Sequence, residues 1–156
     1  MAKFSGGYQM TLSWIPAKDG CLPERAVEAG NGVYVCRAKH NDEMIPGRLL
    51  PQNGRAYIPH GGLELPKEKY EVLCNTSVQC HKCFSWKSAV NGEVPKCAII
   101  AGFSEDGSPL HIARILFQNE CLVGKVHLGH PTAYFPYGGA EISQESYEVL
   151  VWEKKS

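Results

Sequence analysis

Short runs of β-branched and aromatic residues alternate along this chain with turns built from glycine, proline, asparagine and aspartate. Val33-Tyr34-Val35-Cys36 and His111-Ile112-Ala113-Arg114-Ile115 each follow a turn and have strand composition. Arg55-Ala56-Tyr57-Ile58-Pro59 and Thr132-Ala133-Tyr134-Phe135-Pro136 predict the next strands, each stopped by its proline and a following Gly-Gly. Tyr70-Glu71-Val72-Leu73 and Tyr147-Glu148-Val149-Leu150-Val151-Trp152 alternate between polar and apolar, as a half-exposed strand does. No segment sustains a 3.6-residue period between helix caps. The pattern predicts an all-β protein of short antiparallel strands with at most one helical turn.

These runs come in pairs because the sequence repeats itself. From Arg37 and Arg114 onward the two halves align without a gap at an offset of 77, with 14 identities in 37 positions. Unrelated sequences of average composition share roughly two in such a window. The matched set includes Glu43 with Glu120, Gly47 with Gly124, Tyr57 with Tyr134, Gly61-Gly62 with Gly138-Gly139 and Glu64 with Glu141. The earlier part aligns at an offset of 72, pairing Trp14 with Trp86, Gly20 with Gly92 and Gly30 with Gly102. The second copy is therefore five residues longer, and the excess lies in Phe103-Ser104-Glu105-Asp106-Gly107-Ser108-Pro109, a turn-forming sequence. Each copy alone is too small to cover both faces of a sheet. The expected arrangement is two repeats, residues 8–79 and 80–152, sharing one core about an approximate two-fold.

Composition narrows the function classes. Sixteen basic and sixteen acidic residues leave no net charge, which argues against nucleic acid as partner, since that needs a basic face. No apolar run reaches the ~20 residues of a membrane span, so no membrane insertion is expected. The first residues lack an apolar leader core, so the expected location is cytoplasmic, with non-classical secretion as the route to any extracellular role. The seven cysteines do not repeat between copies (Cys36 aligns with Ala113, Cys121 with Met44), which points to reduced thiols rather than a duplicated disulfide framework. Asn75-Thr76-Ser77 matches a glycosylation acceptor but lacks the secretory context that would give it meaning.

Taken together, Trp14, Gly20, Pro23, Ala26-Val27, Ala29-Gly30, Arg37-Ala38, Pro46-Gly47-Arg48, Ala56-Tyr57-Ile58-Pro59, Gly61-Gly62, Glu64 and Tyr70-Glu71-Val72-Leu73 resemble the DM9 repeat family, whose members carry two such repeats in tandem. The resemblance spans residues 8–152. It implies an all-β tandem fold, recognition of mannose-type glycans in pathogen recognition, and a homodimer. It also implies a site built from an acidic residue in the loop after Ala-Gly and the basic residue of the Pro-Gly-Lys turn. The basic positions here are Arg48 and Lys125. The loop position is Asn31 in the first copy and Ser104, Glu105 and Asp106 in the second. The second copy keeps the carboxylates and the lysine, although Val123 replaces the turn proline, so its site is expected to be the better one.

The residue chemistry suits a sugar independently. A carboxylate accepts two hydroxyl hydrogens and an ammonium or guanidinium supplies donors. Glu64 and Glu141 are further acceptors, with local pairing as the alternative. Tyr57 and Tyr134 are read as core residues before sugar platforms, and Arg37 and Arg114 as partners of structural ion pairs. Cys80-His81-Lys82-Cys83 offers two or three zinc ligands, short of the four of a structural site, so no metal or other cofactor is expected. His127 and His130, aligned with Leu50 and Asn53, are weak metal candidates and read first as surface residues. No P-loop, nucleophile elbow or zincin motif is present, so no enzymatic activity is expected. The function expected is a mannose-binding lectin. An intracellular scaffold with the same fold and no sugar binding is the alternative.

Overall fold

The computed structural model describes residues 12–76 and 84–153. Seven strands precede the gap: β1 (Leu12–Lys18), β2 (Glu28–Gly30), β3 (Val33–His40), β4 (Glu43–Leu50), β5 (Arg55–His60), β6 (Leu63–Lys67) and β7 (Lys69–Asn75). Seven follow it: β8 (Phe84–Val90), β9 (Ile100–Phe103), β10 (Pro109–Phe117), β11 (Glu120–Val126), β12 (Ala133–Tyr137), β13 (Ala140–Gln144) and β14 (Ser146–Trp152). The helical content of the described residues is one 3-10 turn, Pro51–Asn53. The all-β expectation holds.

The strands form one barrel-like antiparallel sheet in the order β1-β7-β3-β4-β5-β6-β13-β12-β11-β10-β14-β8, with β2 on β3, and β9 on both β10 and β4. The halves meet in the middle, where β6 and β13 pair at Leu63 and Ala140. They are also tied by two arginines. Arg37 pairs with Glu71 (2.7 Å), lies over Trp14 and donates to the Ala101 carbonyl of the other half. Arg114 pairs with Glu148 (2.8 Å), lies over Trp86 and donates to the Ala29 carbonyl. These are the structural ion pairs the sequence suggested, extended by a bond across the halves.

Two expectations need adjustment. Pro59 and Pro136 do not end their strands, which run on to His60 and Tyr137. The ladder with the preceding strand stops earlier, at Tyr57 and Tyr134, so past that point no N–H is needed on that side. The core is also not single. A central cluster draws on both halves, from Val35 and Leu73 to Ile112, Val123 and Leu150. A second cluster (Ile45, Leu49, Ile58) belongs almost wholly to the first half, and a third (Leu122, Phe135, Val149) to the second.

The loop between β9 and β10 occupies residues 104–108, where its counterpart between β2 and β3 has only Asn31 and Gly32. The loop is three residues longer, and the other two residues of the five-residue excess lengthen β9 and β10 by one each relative to β2 and β3.

Gly124 sets the approach of β12 to β11. A Cβ there would lie 1.9 Å from the Tyr134 carbonyl oxygen, a rigid backbone atom. Gly47 stands in the same relation to Tyr57. Gly124→Ala is expected to cost roughly 1–3 kcal/mol through overpacking. A urea melt should show this as a lower midpoint at unchanged slope.

Candidate functional site

The loop of residues 104–108 is held by its own polar groups. Ser104 N–H donates to the Ser108 carbonyl (2.9 Å), and Gly107 N–H to the Ser104 carbonyl (2.9 Å). The Asp106 carboxylate accepts from the Ser104 hydroxyl and from Ser108 N–H (3.0 Å). The Ser104 hydroxyl, followed by the Ser108 donors, holds the Asp106 carboxyl well below the usual carboxylate range. Asp106 therefore stands as a fixed anion in an exposed loop.

That loop forms one wall of a cleft of about 490 Å³. The cleft is also lined by Lys125 from β11, His127 and His130 beyond it, Tyr134 from β12 and Glu141 from β13. The first half supplies Glu43, His60 and Gly61. Lys125 Nζ lies 3.5 Å from Glu141 Oε2 and 5.8 Å from the centre of the Tyr134 ring. His127 stacks on His130 (4.3 Å between centroids), and His130 Nδ1 is 3.1 Å from the Tyr134 hydroxyl. Burial, followed by the neighbouring His130, holds His127 below the usual histidine range. The cleft therefore offers carboxylate acceptors, one ammonium donor and a wall of aromatic rings.

Glu141 has a second task. Its Oε1 accepts from Gly62 N–H (2.9 Å) of the opposite hairpin. Glu64 mirrors it: Oε1 accepts from Gly139 N–H (2.8 Å) while Oε2 faces Arg48 at 3.6 Å. The main chains of the two glutamates are bound to the same hairpins. Neither glutamate caps locally; each bridges the halves.

Of the eight predicted site residues, Ser104, Glu105, Asp106, Lys125 and Glu141 share this cleft. Arg48 and Glu64 pair with one another at the corresponding place in the first half, where Arg48 is buried. Its guanidinium is further engaged by Glu120 (3.2 Å) and the Cys121 carbonyl (3.4 Å). Asn31 is elsewhere, in a smaller cleft with Gly30, Arg114 and Glu148. Cys80, His81 and Cys83 lie outside the described residues. Sequence reasoning missed Glu43 and His60 and misplaced Tyr134. His127 and His130 are at the surface as expected, where they form walls of the cleft, and Tyr134 is only half-buried with its ring on the cleft. One signal for Glu43 was available, its identity with Glu120 in the other copy.

The DM9 repeat model matches residues 30–144, most of the chain. The chain belongs to the DM9 repeat family. Among solved structures it is similar to the crystal structure of the nematode sperm cell motility protein MFP2B, at 14% identity and a TM-score of 0.65. That match covers 92% of this chain and 45% of MFP2B, so this DM9 chain spans less than half of the longer protein. At this identity the likeness is one of fold. No curated protein matched the sequence. Among the described residues no helix is long and apolar enough to cross a membrane.

The histidines make a pH prediction. Burial is the first cause holding His40, His111 and His127 below the usual 6.5. Near pH 6.5 the unfolded chain therefore binds more protons than the folded one, and stability is lost as pH falls from there toward the lower folded values. Urea midpoints should be lower at pH 5.5 than at pH 7.5. His111→Asn should flatten part of that slope; His111 Nδ1 lies 3.0 Å from the Ile99 carbonyl oxygen.

Proposed function

We propose that this protein is a non-enzymatic carbohydrate-binding protein that takes a mannose-type sugar in the Lys125 cleft. The observation that carries this reading is the convergence of Lys125, Glu141, Ser104, Glu105 and Asp106 on one open cleft with ring faces beside them. Vicinal sugar hydroxyls need an acceptor and a donor within a few ångströms, and Glu141 with Lys125 is such a pair. The Asp106 carboxylate, fixed by Ser104 and Ser108, adds a second acceptor. Tyr134 and the stacked histidines offer faces to the C–H side of a pyranose. Membership of the DM9 family supports the same reading.

A single cleft of this kind binds a monosaccharide weakly, in the millimolar range, and useful avidity comes from presenting several sites at once. Pairing of the chain into a homodimer supplies that multiplicity, with recognition of foreign glycans as the biological role. The competing reading is an intracellular scaffold without sugar binding, favoured by the burial of Arg48 in the other half.

Titration of mannose and of mannan separates the two. The wild type should bind both. Lys125→Ala should weaken binding about tenfold or more, the effect of losing one charged donor, while retaining its thermal melting profile to within a few degrees. A flat titration and an empty glycan array for the wild type would sink the lectin reading.

A further inference from the structure

The two halves place the same kinds of residue at aligned positions, and of the two cations Lys125 is the one that lines the cleft described above. In the first half Arg48 is gripped from two sides. Its Nη2 faces Glu64 at 3.6 Å and its Nη1 faces Glu120, reached across from the other half, at 3.2 Å. In the second half Lys125 has the matching Glu141 at 3.5 Å. The residue aligned with Glu120 is Glu43, and it also lines the cleft of Lys125. Glu43 is turned instead to His60, with Oε2 at 3.6 Å from Nδ1.

What differs is the ring pair beside each glutamate. Beside Glu43 it is His40 and His60, with centroids 4.8 Å apart. The Lys67 ammonium is 3.1 Å from His40 Nδ1 and donates to it. His60 Nδ1 faces Glu43 at 3.6 Å, an ion pair when the ring is protonated. Beside Glu120 the aligned rings are Phe117 and Tyr137, 5.0 Å apart. Phe117 has no polar atom, and the Tyr137 hydroxyl is committed to the Gln118 side-chain oxygen at 3.2 Å. Glu120 has no ring donor to hold it and closes on Arg48.

We propose that His60 is the positioning residue of the ligand site: by holding Glu43 it keeps a second carboxylate off Lys125, and its replacement by tyrosine in the other half leaves Glu120 free to lock Arg48, so the chain has one working site and one closed one. This rests on the carbohydrate reading for the identity of the ligand, but the carboxylate placement does not. A duplicated chain would otherwise offer two sites. Glu43 and His60 belong to the first half while Lys125 belongs to the second, so the working site is also one that neither half can build alone.

The test is His60→Tyr, which copies the locked half, set beside the double variant His60→Tyr/Glu43→Gln, which removes the freed carboxylate's charge. The readouts are calorimetric titration with methyl mannoside and crystal structures of the unliganded variants. The wild type should bind one sugar per chain. His60→Tyr should weaken binding about tenfold or more, the worth of a charged donor removed from service, and its structure should bring Glu43 to within about 4 Å of Lys125, ion-pair distance. The double variant should recover binding, which loss of folding would not permit. Two sugars per chain in the wild type would overturn the closed half. Unchanged binding by His60→Tyr, or Glu43 left in place in its structure, would overturn the positioning role. If no sugar binds any variant but Glu43 moves onto Lys125, the positioning role stands and the carbohydrate reading falls.

Discussion

The structure depends on two glutamates that each use their two carboxylate oxygens for different purposes. Glu64 and Glu141 give Oε1 to the N–H of Gly139 and Gly62 and turn Oε2 toward Arg48 and Lys125. One side chain therefore does two jobs: it closes the seam between the halves and it sets the depth and direction of a cation. Both glutamate side chains are largely covered, so their pairing with the cations is screened less than a surface pair would be, while the hydrogen bonds to the hairpins lie at the exposed edge. The glycine hairpins at the seam present their N–H groups to a carboxylate through their backbone conformation: a Cβ at Gly62 or Gly139 would meet nothing, but both have φ near +85° (84° and 86°), a backbone other residues rarely adopt.

On that shared frame the halves diverge through ordinary chemical differences. An arginine presents a planar fork and engages two carboxylates at once, as Arg48 does with Glu64 and Glu120. A lysine is a point charge, and Lys125 has the nearer company of Glu141 and the face of Tyr134. A two-residue connection between β2 and β3 keeps Asn31 away from Arg48, whereas the five residues between β9 and β10 have the length to fold on themselves and carry Asp106 to the cleft. From similar strand plans these differences yield one ionic cluster around the buried Arg48, with Glu120 at its exposed edge, and one open polar cleft.

Much of this was legible in the chain. The strand segments were marked by β-branched and aromatic residues between turns, because alternation of faces is a local property. The loops were marked by the gap in the internal alignment, and five cleft residues by position in the repeat. Tyr134 was misread because a mid-strand tyrosine has one buried and one accessible side, and periodicity does not say which side borders a cavity. His127 and His130 carried no repeat signal, since Leu50 and Asn53 stand in their places. Cys36 shows the complementary case, a thiol whose role burial settles: it is fully enclosed, and its ionisation is pushed up beyond the usual thiol range.

The sequence by itself determined the strand composition, the internal repeat, the unequal loops and the identity of the charged residues available to each half. Those follow from local preferences and from comparing the chain with itself. Only the tertiary structure decided that Glu43 and His60 of the first half join the cleft of the second, that Glu120 reaches back to Arg48, and that Glu64 and Glu141 hold the opposite hairpins. Each of these contacts joins different segments of the chain, most of them about 70–80 positions apart, and a carboxylate's partner is set by which donors the folded sheet brings within hydrogen-bond distance. No property of a glutamate in its own segment encodes that choice.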